Sequence, residues 1–175
     1  MKFFNGLTWG LFVFFAIGIG LYPWGYLISD VLAQNGLLAR KSSLITSDQI
    51  WNIQFHIHIY LGSIAMLTGW SQFMKKFRSQ NLNIHRLLGK IYVLACLFSG
   101  LAGLYIAYFA EGGIVGQLGF TGLALAWLYT TSKAYLTIRK KNVDAHKRWM
   151  IRSYALTWAA VTLRIWLPLF QFGIG

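Results

Sequence analysis

The chain has 175 residues, of which 57% are hydrophobic and 11% charged, and 16 Lys and Arg against 4 Asp and Glu give a net charge of +12. A soluble domain carries roughly a quarter of its residues as charges, so this chain cannot cover itself in water, and an integral membrane protein is the class that remains. The basic excess would suggest nucleic acid in a soluble protein. Here it lies in short loops beside long apolar runs, where topology and anionic headgroups account for it, and no nucleic-acid partner is expected.

Five apolar runs approach the ~20 residues that a bilayer crossing takes. They read as spans over 5–29, 49–74, 84–110, 117–138 and 145–170. No boundary or low-complexity stretch divides the chain, so one membrane domain over 1–175 is expected. The fold class is all-α, a transmembrane helical bundle with a four-helix core (spans two to five) plus the N-terminal helix. The single cysteine, Cys96, excludes an intrachain disulfide, and nothing argues for covalent haem attachment.

Span one is too long for an ordinary signal-peptide core and reads as a retained anchor, with Pro23 kinking its outer end. The stretch VLAQNGLLARKSSLI after it suggests a short interfacial helix, and Ser47 or Asp48 offers an N-cap to span two. Lys75, Lys76 and Arg78 follow span two, and Arg139, Lys140, Lys141 and Lys147 lie between spans four and five. With Lys2, these groups predict the N-terminus inside and the C-terminus outside a bacterial cytoplasmic membrane. Arg40 and Lys41 in the first outer loop run against that rule. The glycines at 112, 113, 116, 119 and 122 suggest close helix packing around the start of span four. Trp51, Trp149 and Trp166 read as interfacial anchors, and Lys133 as a snorkelling lysine.

Spans three and five begin alike. Asn83 and Asp144 stand as candidate N-caps two residues before His85 and His146, and each histidine is followed by a cation. Spans two-plus-three and four-plus-five form at most a weak internal repeat. Helical periodicity puts His146 on one face with Ser153, Thr157 and Arg164, and His85 with Tyr92, Cys96 and Gly103, Ser99 nearby. His58 shares a face with Gln54, Gly62, Ala65 and Gly69, with Gln72 close by; His56 lies about 200° around the helix. Such mixed faces turn inward in a membrane bundle. Arg164 is deep enough to cost about 2.5–3.5 kcal/mol if left bare, so it is expected to face a cavity, a partner or a ligand.

A b-type haem needs two neutral imidazoles on different helices at one depth, with small residues and cations around them. His85 and His146 meet the depth requirement as candidate ligands of haem iron, with Gly89 for space and Arg86 and Arg152 for the propionates. His58 and Arg164 would form an outer polar pocket. The alternative is ordinary border chemistry, in which the histidines hydrogen-bond loop carbonyls or headgroups. No catalytic triad, nucleotide loop or metalloprotease motif is present.

The segments HIHIYLGSIAMLTG, HRLLGKIYVLAC and HKRWMIRSYALTWAAVTLRIWLP resemble a family of predicted multi-pass bacterial membrane proteins, domain of unknown function 2306. The resemblance implies a helical membrane fold and sites at His58, His85, His146, Arg152 and Arg164, and it implies no activity. A looser likeness is to cytochrome b561-like haem bundles, from which the chain departs by lacking a clear second cross-helix histidine pair. The function expected is haem b electron transfer to or from a quinone or a partner subunit, homo-oligomers included. The alternative is a non-enzymatic transport, accessory or scaffold protein with a polar intramembrane cavity.

Overall fold

The structure, a computed structural model, describes residues 6–27 and 43–173. Among the described residues every regular element is helical. The long helices are α1 (Gly6–Leu21), α2 (Gln49–Gly69), α3 (Leu82–Ala107), α4 (Gly113–Arg139), α5 (Val143–Thr157) and α6 (Ala159–Gly173). Three stretches are long and apolar enough to cross a membrane: Gly6–Gly25, Leu82–Ala107 and Gly113–Arg139. The expected interfacial helix and the cations Lys2, Arg40 and Lys41 fall mostly or wholly outside the described residues; only a helical turn, Ser43–Thr46, precedes α2.

The chain order of the helices is also their packing order. α2 lies closest along α3, α3 packs on α4 and α4 on α5, and α2 touches α5 to complete a four-helix ring. α1 lies outside it against α2 and reaches α6. At its far end α1 tightens into a 3-10 turn, Tyr22–Leu27, where Pro23 has no N–H to continue the α-helical ladder. Ser63 of α2 donates to the Gly20 carbonyl beside this turn, and the Trp24 indole donates to the Ser63 hydroxyl at 2.7 Å. Two hydrogen bonds therefore tie the first helix to the ring at the point where its own ladder ends.

The helix starts correct part of the sequence reading. Asp48 does cap α2, accepting from the Ile50 N–H at 2.8 Å. Asn83, however, lies inside α3, whose cap position is held by Asn81 without a side-chain bond. At α5 the cap is Asn142, which accepts from the Ala145 N–H at 3.0 Å. Asp144 stands in the first turn, where its carboxylate complements the positive helix end, and it pairs with Lys147 at 3.3 Å. The last span is two helices with a break at Trp158, whose ring stacks on Phe12 of α1 at 4.9 Å.

The glycines around the start of α4 serve the turn more than packing. Gly112 and Gly113 have φ of +89° and +64°, which a side chain would strain. A Cβ at Gly119 or Gly122 would meet nothing within 4 Å. Trp51 also differs from expectation. It is 2% exposed and stacks on Phe55 at 5.1 Å, so it packs the bundle instead of anchoring its rim.

The inward faces carry the residues that helical periodicity grouped. Tyr92, Cys96, Ser99 and Gly103 of α3 are buried, as are Ser153 and Thr157 of α5 and Ala65, Gly69 and Gln72 from α2 and the turn after it. α4 adds Ala124, Trp127, Thr130, Thr131 and Ala134, one face at i, i+3, i+6–7 and i+10 spacing that the sequence reading passed over.

Candidate functional site

Toward the end of the bundle that carries the α3–α4 turn, the helices part around a cavity of about 430 Å³. Its walls are mostly apolar, with Ile19 from α1, Phe55 and Met66 from α2, Phe120 and Leu123 from α4, and Leu163 from α6. Five residues bring polarity to it: His58, Ser63, Glu111, Thr157 and Arg164. A mainly apolar chamber with a few converging polar groups is the ordinary form of a small-molecule site.

His58 is held in one tautomer. Its Nδ1 lies 2.9 Å from the Ser99 carbonyl oxygen, and a carbonyl can only accept, so Nδ1 carries the proton and donates it. The Nε2 lone pair is thereby left for another partner. Ser99 clasps the same turn of α2 from its other side, donating its hydroxyl to the His58 carbonyl at 2.8 Å. The ring also presses on α3, since a Cβ at Gly103 would come within 3.0 Å of Nδ1. Trp127 closes the remaining side with its ring edge-on at 6.5 Å. His56 takes no part in the cavity lining: it bonds the Asn52 carbonyl of its own helix at 2.7 Å and stacks on Tyr60.

Arg164 reaches the cavity from α6. One guanidinium nitrogen donates to the Ala160 carbonyl at 3.1 Å, and the group lies 5.1 Å from the centre of the Tyr22 ring. Its charge is close enough to interact with His58. The structure thus brings His58 and Arg164, from helices far apart in sequence, to one chamber.

The second pair of histidines lies at the opposite, basic end. His85 and His146 are near enough to interact electrostatically, with Arg78 and Arg86 in the same neighbourhood. His146 donates Nδ1–H to the Ala134 carbonyl at 2.8 Å, leaving its Nε2 lone pair available. His85 Nδ1 is buried and has no hydrogen-bond partner among the described residues. Gly89 leaves ordinary contact room, a Cβ there lying 3.7 Å from the Gln72 amide oxygen. Arg152 is not with this pair. It is exposed on α5 and stacks over Trp149 at 4.6 Å.

Between the two ends lies a buried knot of hydroxyls. Tyr92 bonds Ser153 at 2.8 Å and Thr157 at 3.1 Å, and Thr131 bonds Ser153 at 2.7 Å. The Trp127 indole donates to Thr157 at 3.0 Å. The Tyr154 hydroxyl donates to the Met66 carbonyl at 3.1 Å. In a bilayer core these groups have no water to turn to, so bonding one another joins α2, α3, α4 and α5. The sequence reading found Tyr92, Ser153 and Thr157 but missed Trp127 and Thr131, for which the signal was their common face on α4.

Among the described residues no group of three or more His, Cys, Asp or Glu side chains gathers to cage a bare metal ion. Two imidazoles suffice for haem iron, because the porphyrin supplies the other four ligands. His85 and His146, both half-buried at the basic end, are of the residue type such a donor set needs. Residues 55–175 match the model of a family described as a predicted membrane protein, DUF2306. No curated protein and no solved structure matches the chain.

Proposed function

The chain belongs to the DUF2306 family of predicted membrane proteins, and we propose for it a role in electron transfer within a bacterial cytoplasmic membrane, with a lipid-soluble quinone or quinol bound in the outer chamber and a b-type haem at the basic end. On this reading α2 and the α5–α6 pair cross the membrane along with α1, α3 and α4, with the basic end inside. The observation that carries it is His58: its Nδ1–H is committed to the Ser99 carbonyl, and it lines a mainly apolar chamber that also holds a guanidinium. His58 Nε2 accepts a hydrogen bond from a quinol hydroxyl, and Arg164 donates to a quinone carbonyl, so both redox forms find a partner. The aliphatic walls suit the tail. His85 and His146 would hold the haem iron, which supplies one-electron chemistry, with the nearby Arg86 toward its propionates.

The test is a spectrum. Protein purified in detergent after haem-supplemented expression should show a Soret band and reduced-minus-oxidised α and β bands, lost in His85→Ala and His146→Ala with the helical circular dichroism intact. No haem bands in the wild type would reject the haem assignment. The quinone site is read separately, by titrating a short-chain quinone and following tryptophan fluorescence; saturable binding that persists unchanged in His58→Ala would reject it.

One observation favours a second reading, an accessory or transport protein that binds a lipid-soluble molecule without haem. Tyr154 and Tyr92 fill the space beside Gly69, so closely that a Cβ there would strike the Tyr154 ring, and a porphyrin at the basic end must stay on the border side of this packed level. This reading retains saturable binding in the chamber with no chromophore.

A further inference from the structure

The outward surface of α4 and α5, remote from the chamber, carries two cations set among apolar residues. Lys133 stands six residues before the end of α4 at Arg139, and Arg152 nine residues after the start of α5 at Val143. At ~1.5 Å per residue their backbones lie about 9 and 13 Å from the basic end of the bundle. Both side chains are exposed, as are Leu125, Tyr129 and Ile151 around them. This is a lipid-facing surface.

Each cation lies over an aromatic ring of its own helix, Lys133 turning away from the border and Arg152 back toward it. Lys133 Nζ leans back over Tyr129 at 5.5 Å, while the Arg152 guanidinium lies over Trp149 at 4.6 Å. Tyr129 and Trp149 meet edge to face at 5.6 Å across the α4–α5 seam, so the ring pair draws both charges toward one level. Cation–π attraction positions a charge but does not neutralise it. No carboxylate among the described residues pairs with either cation. Among the described residues the one acid at this end, Asp144, is engaged with Lys147 at 3.3 Å. Two lipid-facing cations so deep call for a counter-charge that the bilayer itself must supply.

We infer that Lys133 and Arg152, framed by Tyr129 and Trp149, form a seat for the phosphate of an anionic phospholipid in the leaflet on the basic side. Arg152 offers a forked pair of N–H donors to the phosphate oxygens, and Lys133 a compact charge beside it. Leu125 and Ile151 then lie along the acyl chains. A free phosphate lacks the apolar part that this surroundings favours. The site is independent of the quinone and haem reading.

Native mass spectrometry of the full chain, released from mixed micelles with equal phosphatidylglycerol and phosphatidylcholine, tests the seat. The wild type should retain one phosphatidylglycerol, and millimolar inorganic phosphate should not displace it. Lys133→Gln with Arg152→Gln should weaken retention roughly 30-fold, about 1 kcal/mol for each charge. Lys140→Gln with Lys141→Gln, which removes two exposed loop cations, should leave it unchanged. Equal retention of the two lipids by the wild type, full retention in the Lys133/Arg152 variant, or displacement by inorganic phosphate would each overturn the assignment. If the double variant fails to fold, Arg152→Lys keeps the charge without the fork and should still lose a severalfold share of the lipid; no loss there would equally refute the seat.

Discussion

At the level of Gly69, Tyr92 and Tyr154 two phenol rings fill the bundle, whereas farther outward, beside Gly62, Gly103 and His58, a chamber of about 430 Å³ remains. Both levels are lined by small and polar residues on the same helix faces. The difference lies in what the small residue faces. Gly69 admits a tyrosine ring from α5, and the hydroxyls of that level find one another. Gly103 admits an imidazole bonded to its own neighbour helix, and the space beyond it is left to apolar walls and Arg164. Glycine permits close approach in a membrane bundle; whether it yields a packed core or a binding chamber depends on the partner side chain. The closed level should govern stability and the open level binding.

Gly69→Leu should break that contrast most severely, because the added side chain must displace Tyr154. Overpacking costs about 1–3 kcal/mol, and thermal unfolding in detergent should show a lowered midpoint, while Gly119→Ala, where a Cβ meets open space, should show none. His58→Ala should weaken short-chain quinone binding about tenfold, or ~1.4 kcal/mol, with a smaller shift of the unfolding midpoint than Gly69→Leu. A drop in stability as large as that at Gly69, with binding unchanged, would make the chamber merely structural.

Tyr92→Phe removes one hydroxyl from a knot whose members satisfy each other, at a cost of about 1 kcal/mol. Its effect should shrink in a Ser153→Ala background, since the two groups share a bond, and a double-mutant cycle reads this coupling directly. The smallest effect sharpens the helix-start correction. Asn142→Ala should lose about 1 kcal/mol with the cap, whereas Asp144→Ala loses only an exposed ion pair and a helix-end charge and should cost about half as much or less.

Much of this architecture was legible in the residues themselves. Depleted charge and long apolar runs required a membrane bundle, and the 3.6-residue period placed Tyr92, Cys96, Ser153 and Thr157 on inward faces without any coordinates. It also separated His58 from His56. The helix starts at Asn81 and Asn142 were less legible, because asparagine and aspartate compete for a cap within a few residues of each other, and the winner depends on the turn before it. The glycines at 112 and 113 were misread for a similar reason: composition does not reveal a positive φ.

What the chain alone determined is therefore its all-helical membrane class and the inward faces of α2, α3 and α5, all of which follow from hydropathy and local periodicity. Only the tertiary structure decided which side chains of different helices meet: His58 with Ser99 and the Arg164 chamber, Tyr154 with Gly69, and Tyr129 with Trp149 across the α4–α5 seam. Those meetings depend on the angle and offset between rods. One turn of sliding exchanges one partner for another while leaving each helix's own pattern unchanged.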